Sequence, residues 1–102
     1  MFENLNSLFL SQTRLAILSL LISNREMEFT GLRDSLNITP GNLSIQMAKL
    51  KKAGLIEIKK SFRDNYPLTV CRITQKGVDS FDTFMQALKT YRPIRAEAPQ
   101  TA

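Results

Sequence analysis

Apolar residues recur at helical spacing in the middle of the chain. Leu43, Met47 and Leu50 stand at i, i+4 and i+7, so at about 100° per residue they share one side of a helix. Thr39 is a favourable N-cap, and Gly54 suits the left-handed turn that follows a helix. The pattern predicts one helix between these two residues, with one buried face.

The opposite side of this helix is polar near its start and basic near its end. Ile45 is its one large apolar residue. Small and amide side chains at the start of a capped helix, followed by lysines, are what a DNA major groove accepts. The residues on this side and its flanks are Asn42, Ser44, Ile45, Gln46, Lys49 and Lys52.

The first third of the chain predicts two more helices. Ser11 caps a helix through about Ile22, with Leu15, Leu18 and Ile22 on one face. After a short extended piece at 27–29, a second helix follows. Its predicted bounds are Gly31–Leu36, with Thr30 as its cap and Asn37 as its left-handed stop.

After the central helix the pattern favours β-structure. Residues 55–59 and 69–74 read as strands. Between them, residues 62–68 contain Asp64, Asn65 and Pro67, which favour a loop. The two strands therefore predict a hairpin with a long, basic tip, at about 60–68.

The last helix is predicted from Gln75 to about Tyr91, with Thr74 as its cap. Pro93 is expected to end it. Residues 1–92 would then form one domain, and residues 93–102 a disordered tail. The apolar seam of this helix consists of Val78, Phe81, Met85 and Leu88, widened by Phe84 and Tyr91.

Positive charge is concentrated in the middle of the chain. Residues 39–76 hold eight basic and two acidic residues, a net charge of +6, whereas the whole chain carries +5. The remaining residues therefore sum to −1. A localised basic region is typical of a protein that binds a polyanion.

The residue inventory argues against an enzyme. The chain has no histidine and one cysteine, so the commonest general base and a cysteine-rich zinc site are both absent. Asp79 and Asp82, three residues apart, fit a solvated helix face better than a catalytic pair. We expect no catalytic residues, no metal and no cofactor.

A cytoplasmic location without membrane insertion is expected. Cys71 has no partner for an intramolecular disulfide, and its strand alternation with Ile73 favours a buried structural thiol over a redox switch. The apolar run 15–22 is too short to span a bilayer, and the N-terminus lacks the basic start of a signal peptide.

Three helices followed by a hairpin and a last helix predict a mainly α fold with a small β-hairpin, a winged helix-turn-helix. Residues 11–90 resemble the winged-helix transcriptional regulators related to the MarR and ArsR families, especially the small single-domain type. The resemblance implies double-stranded DNA as partner. The segments that carry it are TRLAILSLL, FTGLRDSL, TPGNLSIQMAKL, KKAGLIEIKKSF, YPLTVCRIT and QKG.

On this interpretation the helix at about 40–53 reads the major groove. Asn42 and Gln46 carry amides that can pair with adenine N6 and N7, and Ile45 can contact a thymine methyl group. Thr39 and Ser44 can bind phosphates at the helix start. Lys49 and Lys52 are expected on backbone phosphates, where they add affinity without sequence choice.

The hairpin tip is the expected wing. Arg63 is its best candidate for a narrow A/T-rich minor groove. Tyr66, next to a proline, is expected to pack the loop. The remaining wing residues assigned to DNA are Lys60 and Asn65.

The apolar face of the last helix is wider than one small domain needs, which predicts a twofold dimer. Residues 1–10 are expected to form a short leading helix or a partner-binding arm. The predicted interface residues are Leu5, Leu8, Phe9, Phe84, Leu88 and Tyr91.

Two other functions compete with DNA reading. A winged helix can serve as a protein-interaction module or adaptor, for which the basic face would be dispensable. A regulator that responds to a small molecule is the other, but the sequence names no effector. It also does not tell a repressor from an activator.

Overall fold

A computed structural model describes residues 8–9 and 11–100, with side chains to Lys89. Between residues 11 and 100, four helices and three strands follow one another in the order expected for a winged helix, so the predicted fold class is confirmed. The elements are α1 (Gln12–Asn24), β1 (Glu26–Glu28), α2 (Phe29–Leu36), α3 (Pro40–Lys52), β2 (Ile56–Arg63), β3 (Tyr66–Ile73) and α4 (Gln75–Gln100).

Helix α1 begins as predicted, since the Ser11 hydroxyl accepts the Arg14 backbone N–H at 3.2 Å. Its buried face differs from the prediction. Ile17, Leu18 and Leu21 are buried, whereas Ile22 is 38% exposed. The run 15–22 is apolar at every position except Ser19 and so offers several possible stripes, and only packing against α2, α3 and β3 selects one.

Helix α2 starts two residues earlier than expected. Glu28 stands at its N-cap without a side-chain cap bond, so the prediction that Thr30 caps it is wrong. Thr30 already lies inside the helix because Phe29 opens it directly from strand β1. The predicted left-handed stop at Asn37 is confirmed by its φ of 53°.

Helix α3 has both predicted ends. The Thr39 hydroxyl accepts the Asn42 N–H at 3.1 Å, and Gly54 lies just past the helix at φ 79°. The Leu55 N–H donates to the Leu50 carbonyl at 3.0 Å, and the Gly54 N–H to the Lys51 carbonyl at 2.9 Å. These two bonds form a Schellman motif, which satisfies the carbonyls at the helix end.

The hairpin differs from its prediction. Strands β2 and β3 run to Arg63 and from Tyr66, so only Asp64 and Asn65 turn, at φ 50° and 69°. Two left-handed residues make a tight type I′ turn, so the predicted long loop over 62–68 is wrong. Pro67 fits a strand here because β1 pairs only with residues 70–72 of β3, which leaves residue 67 without a neighbour on that side.

The three strands form one antiparallel sheet in the order β1-β3-β2. The face of the sheet that carries Ile56, Ile58 and Cys71 lies against the helices, and Cys71 is fully buried as predicted. The core consists of Phe9, Ile17, Leu18, Leu21, Leu32, Leu43, Met47, Leu50, Leu55, Ile56, Cys71 and Phe84.

Helix α4 begins at the predicted cap. The Thr74 hydroxyl accepts the Gly77 N–H at 3.0 Å and donates to the Gly54 carbonyl at 2.7 Å. The helix continues to Gln100, so the prediction that Pro93 ends it is wrong. A proline lacks the backbone N–H and so removes one hydrogen bond from the helix. The residues after it can still donate their N–H groups to carbonyls one turn earlier, so the helix can continue. The separation of residues 93–102 from the domain stays a prediction.

Candidate nucleic-acid interface

Helix α3 presents one continuous polar and basic face to solvent. Leu43, Met47 and Leu50 bury the other side, as predicted, and Ile45 is 56% exposed. Asn42 and Gln46 are half-buried on the flank of the exposed face. The predicted site residues that are exposed on this helix and at its N-cap are Thr39, Ser44, Ile45, Lys49 and Lys52.

The electrostatics of α3 suit an anion at both ends. Its first turn contains no acidic residue and carries the positive end of the helix dipole. Three lysines, Lys49, Lys51 and Lys52, follow in the last turn. Lys51 was not among the predicted contacts, although it is exposed like its neighbours.

The two amides of α3 are not independent. Gln46 Nε2 donates to Asn42 Oδ1 at 3.0 Å. Gln46 Oε1 in turn accepts a hydrogen bond from Arg14 Nη1 at 2.7 Å, and Arg14 Nε donates to the Leu8 carbonyl at 2.7 Å. Sequence reasoning missed Arg14 because it lies 32 residues from Gln46, on a different helix.

Arg63, the predicted minor-groove residue, is held at the side of the wing. Its guanidinium forms an ion pair with the Glu28 carboxylate, across strand β3. Both side chains remain partly exposed, at 58% and 41%. Such a surface pair contributes only about 0–1 kcal/mol, so Arg63 can leave it at little cost.

The wing exposes two aromatic side chains that stand on opposite faces. Phe62 is 75% exposed and pairs with Pro67, whereas Tyr66 is 74% exposed and pairs with Arg63. Tyr66 therefore does not pack the loop as expected. Lys60 and Asn65 are exposed on the same hairpin, so the wing presents charged, polar and aromatic groups together.

A groove of about 390 Å³ separates α3 from the sheet. Its walls are apolar at Met47 and Ile58, and Lys51 and Lys60 stand on either side. The other lining residues are Phe29, Ser44, Ala48 and Thr69. The groove links the exposed face of the helix to the base of the wing.

The predicted dimer residues have different environments. Phe9 and Phe84 stack at 4.8 Å between ring centroids and are 0% and 3% exposed within a single chain. They close the core, so the expectation that they offer surface to a second copy is wrong. Leu8 is half-buried and Leu88 is 40% exposed. Leu5 and the side chain of Tyr91 lie outside the described residues.

Cys71 is the buried thiol predicted from strand alternation. Desolvation raises its pKa from 9.0 to about 12. Among the residues that the structure describes, no group of three or more metal-ligating side chains comes together. Within the same residues no helix is both long and apolar enough to cross a membrane.

The helix pair α2–α3, the wing and the closing helix α4 together define the winged-helix class of DNA-binding proteins. A family model described as winged helix DNA-binding domain matches residues 13–92. The chain belongs to this family. The resemblance to winged-helix transcriptional regulators, predicted from the sequence, is thereby confirmed.

Related proteins agree with this assignment. A protein of Methanocaldococcus jannaschii, described as uncharacterised, is 37% identical over 78 residues, which are 76% of this chain and 85% of that one. The structure of a transcriptional regulator homologue from Pyrococcus horikoshii OT3 is 31% identical, with a TM-score of 0.72 over 86% of this chain and 92% of that one.

The MarR fold is also shared. The C80S mutant of MarR from E. coli, solved with operator DNA, superposes with a TM-score of 0.67 at 18% identity. That comparison covers 82% of this chain and 59% of MarR. At this identity the likeness concerns the fold.

Proposed function

We propose that this protein is a transcriptional regulator that binds double-stranded DNA sequence-specifically as a homodimer, at an inverted repeat. The observation that carries the proposal is α3 itself. Its capped start, its exposed polar face and its lysine-rich end lie on one surface, beside a hairpin with further basic residues. MarR, which has the same fold, has been solved with operator DNA, and this supports DNA as the partner.

The proposed roles follow the position of each residue along α3. Asn42 and Gln46 meet base edges, because recognition helices contact bases through their first turns. Ile45 contacts a thymine methyl group. Thr39 and Ser44 bind phosphate at the helix start, and Lys49 and Lys52 bind phosphates farther along.

The wing then follows the backbone beside the major groove. Lys60 and Asn65 contact phosphate or sugar. Arg63 leaves its ion pair with Glu28 and enters the minor groove, because a narrow A/T-rich tract attracts arginine. In a twofold dimer, the two copies of α3 would lie about 34 Å apart, in successive major grooves.

A gel-shift experiment with genomic fragments tests the proposal. Specific binding should survive competitor DNA and a moderate salt concentration. A basic protein of equal size and net charge is the control, because charge alone gives non-specific affinity. Binding no stronger than that of the control would contradict the proposal.

Single substitutions test the division of roles at a specific site. Asn42→Ala should reduce the binding free energy by about 1–3 kcal/mol at that site alone. Lys49→Ala should instead weaken binding to all sequences, and the slope of log K against log salt concentration should become shallower by about one. Lys89→Ala, which removes an exposed lysine from α4, is the charge-matched control. If all three variants behave alike, the assigned roles are wrong.

A further inference from the structure

Hydrogen bonds run from Arg14 to Gln46 and from Gln46 to Asn42, and they affect which DNA base the two amide side chains of α3 select. Arg14 Nη1 lies 2.7 Å from Gln46 Oε1. A guanidinium has donors and no acceptor, so the Gln46 atom that faces it must be the oxygen. The amide nitrogen of Gln46 is thereby turned the other way.

This orientation passes on to Asn42. Gln46 Nε2 lies 3.0 Å from an Asn42 side-chain atom, and because Nε2 donates, that atom must be Oδ1. The Asn42 backbone N–H is bound to Thr39 Oγ1, which fixes the residue in the first turn of α3. The Asn42 Nδ2 group has no hydrogen-bond partner among the described residues.

We infer that Arg14 is a positioning residue that makes the reading face of α3 a hydrogen-bond donor, so that Asn42 and Gln46 select guanine. The inference rests on the proposed function. Both amide oxygens already accept a hydrogen bond, whereas Asn42 Nδ2 keeps two hydrogens and Gln46 Nε2 keeps one.

Guanine is the base that matches such a face. It presents two acceptors in the major groove, N7 and O6. Thymine presents a single acceptor, O4, beside its methyl group, adenine adds a donor at N6, and cytosine presents a donor at N4. Bidentate pairing of either amide with adenine needs an oxygen as well as a nitrogen. The contacts with Arg14 therefore oppose the adenine pairing expected from the sequence.

The backbone contact of Arg14 holds the arrangement in place. Its Nε donates to the Leu8 carbonyl at 2.7 Å, so the guanidinium is fixed from the segment before α1 as well as from Gln46. Removing Arg14 would free both amides to rotate and to offer an oxygen outward.

The experiment is selection of binding sites from a random duplex pool, with the wild type and with Asn42→Ala. The base position whose preference disappears in Asn42→Ala is the one that Asn42 reads. The wild type should prefer guanine there. Replacing that guanine by 7-deazaguanine, which lacks the N7 acceptor, should weaken wild-type binding by about tenfold, because one good base contact is lost.

Two variants then separate positioning from general stability. The Arg14→Met side chain keeps the aliphatic stem but cannot donate a hydrogen bond. Adenine should therefore become acceptable at the position that Asn42 reads, while the base preferences at the other positions persist. The lysine of Arg14→Lys can donate hydrogen bonds and cannot accept them, so this variant should retain the preference for guanine. Thermal unfolding of both variants checks the fold, and the 7-deazaguanine probe needs no variant.

The outcomes distinguish this inference from the proposed function. A preference of the wild type for adenine, thymine or cytosine at the Asn42 position would overturn the role of Arg14 while leaving DNA reading intact. An unchanged guanine preference in folded Arg14→Met would do the same. If the wild type selects no sequence, the proposed function fails, and the inference fails with it.

Discussion

Gly77 shows how one residue can be required for reasons of space. A Cβ at this position would lie 2.2 Å from the Leu55 carbonyl oxygen and 2.7 Å from Ile73 Cγ1. Helix α4 therefore crosses the start of the sheet at a distance that only glycine allows. At Gly41, by contrast, an added Cβ meets nothing within 4 Å.

Gly77→Ala should destabilise the protein by about 1–3 kcal/mol or more, because backbone atoms must move to admit a methyl group. Gly41→Ala is the matched control. It should be neutral or stabilise the protein by about 0.4–1 kcal/mol, since alanine is the better helix former and the site is open. Urea unfolding of both variants measures the difference, and equal effects would contradict the packing argument.

Cys71 gives a prediction about pH. Its pKa is about 12 in the folded protein, against an ordinary value of 9.0. Above pH 9 the unfolded chain therefore loses this proton while the folded chain keeps it. The free energy of unfolding should be unaffected by this thiol below pH 9 and should fall above it, by at most about 1.4 kcal/mol per pH unit, up to the folded pKa.

Urea unfolding of the wild type and Cys71→Ala over this range checks the effect. The variant should be less stable throughout because of the cavity it creates, but the difference between the two proteins should shrink as pH rises above 9. A difference that stays constant with pH would show that burial does not hold the thiol protonated.

Among the elements, the wing is the one whose function depends most on its neighbours. The two-residue turn at Asp64 and Asn65 makes the hairpin stiff and short. Its register also places Arg63 where the side chain reaches Glu28, at the junction of β1 and α2. Arg63, the residue proposed for the minor groove, is therefore ion-paired in the structure.

Glu28→Gln should tighten DNA binding, because Arg63 becomes free to contact phosphate or the minor groove. The slope of log K against log salt concentration should become steeper by about one. Asp82→Asn removes one negative charge from the exposed side of α4 and serves as the charge-matched control. Salt titrations of binding compare the two. If both variants gain the same DNA affinity, the change in net charge, and not the release of Arg63, causes the tighter binding.

At the scale of the whole molecule, the basic region and the exposed apolar side chains of α4 lie in different parts of the chain. Most of the net +6 of residues 39–76 lies in α3 and the β2–β3 hairpin, whereas α4 exposes Met85 and Leu88, at 39% and 40%. This separation suits a protein that binds DNA with one surface and a second copy with another. The dimer itself stays a prediction.

Leu88→Glu should shift the protein from dimer to monomer, because it places a charge in the proposed apolar contact. Sedimentation velocity measures the association state directly. Ile45→Glu makes the same change on α3 and should leave the dimer intact while weakening DNA binding. A dimer that survives Leu88→Glu would place the interface elsewhere.

The sequence by itself determined the order of the elements and the exposed side of α3. The helical spacing of α3, Thr39, Gly54 and Asn37 are local signals, since a cap or a left-handed residue acts within one turn, and these four were confirmed. The winged-helix order followed from them. Local chemistry also predicted the burial of Cys71.

Only the tertiary structure decided which partners those residues meet. The buried face of α1, the pairing of β1 with β3, the burial of Phe9 against Phe84 and the pairing of Arg63 with Glu28 all join residues that are distant in sequence. The same holds for the chain from Arg14 through Gln46 to Asn42. Periodicity places a side chain on a face, but the hydrogen bonds it makes depend on what folding brings beside it.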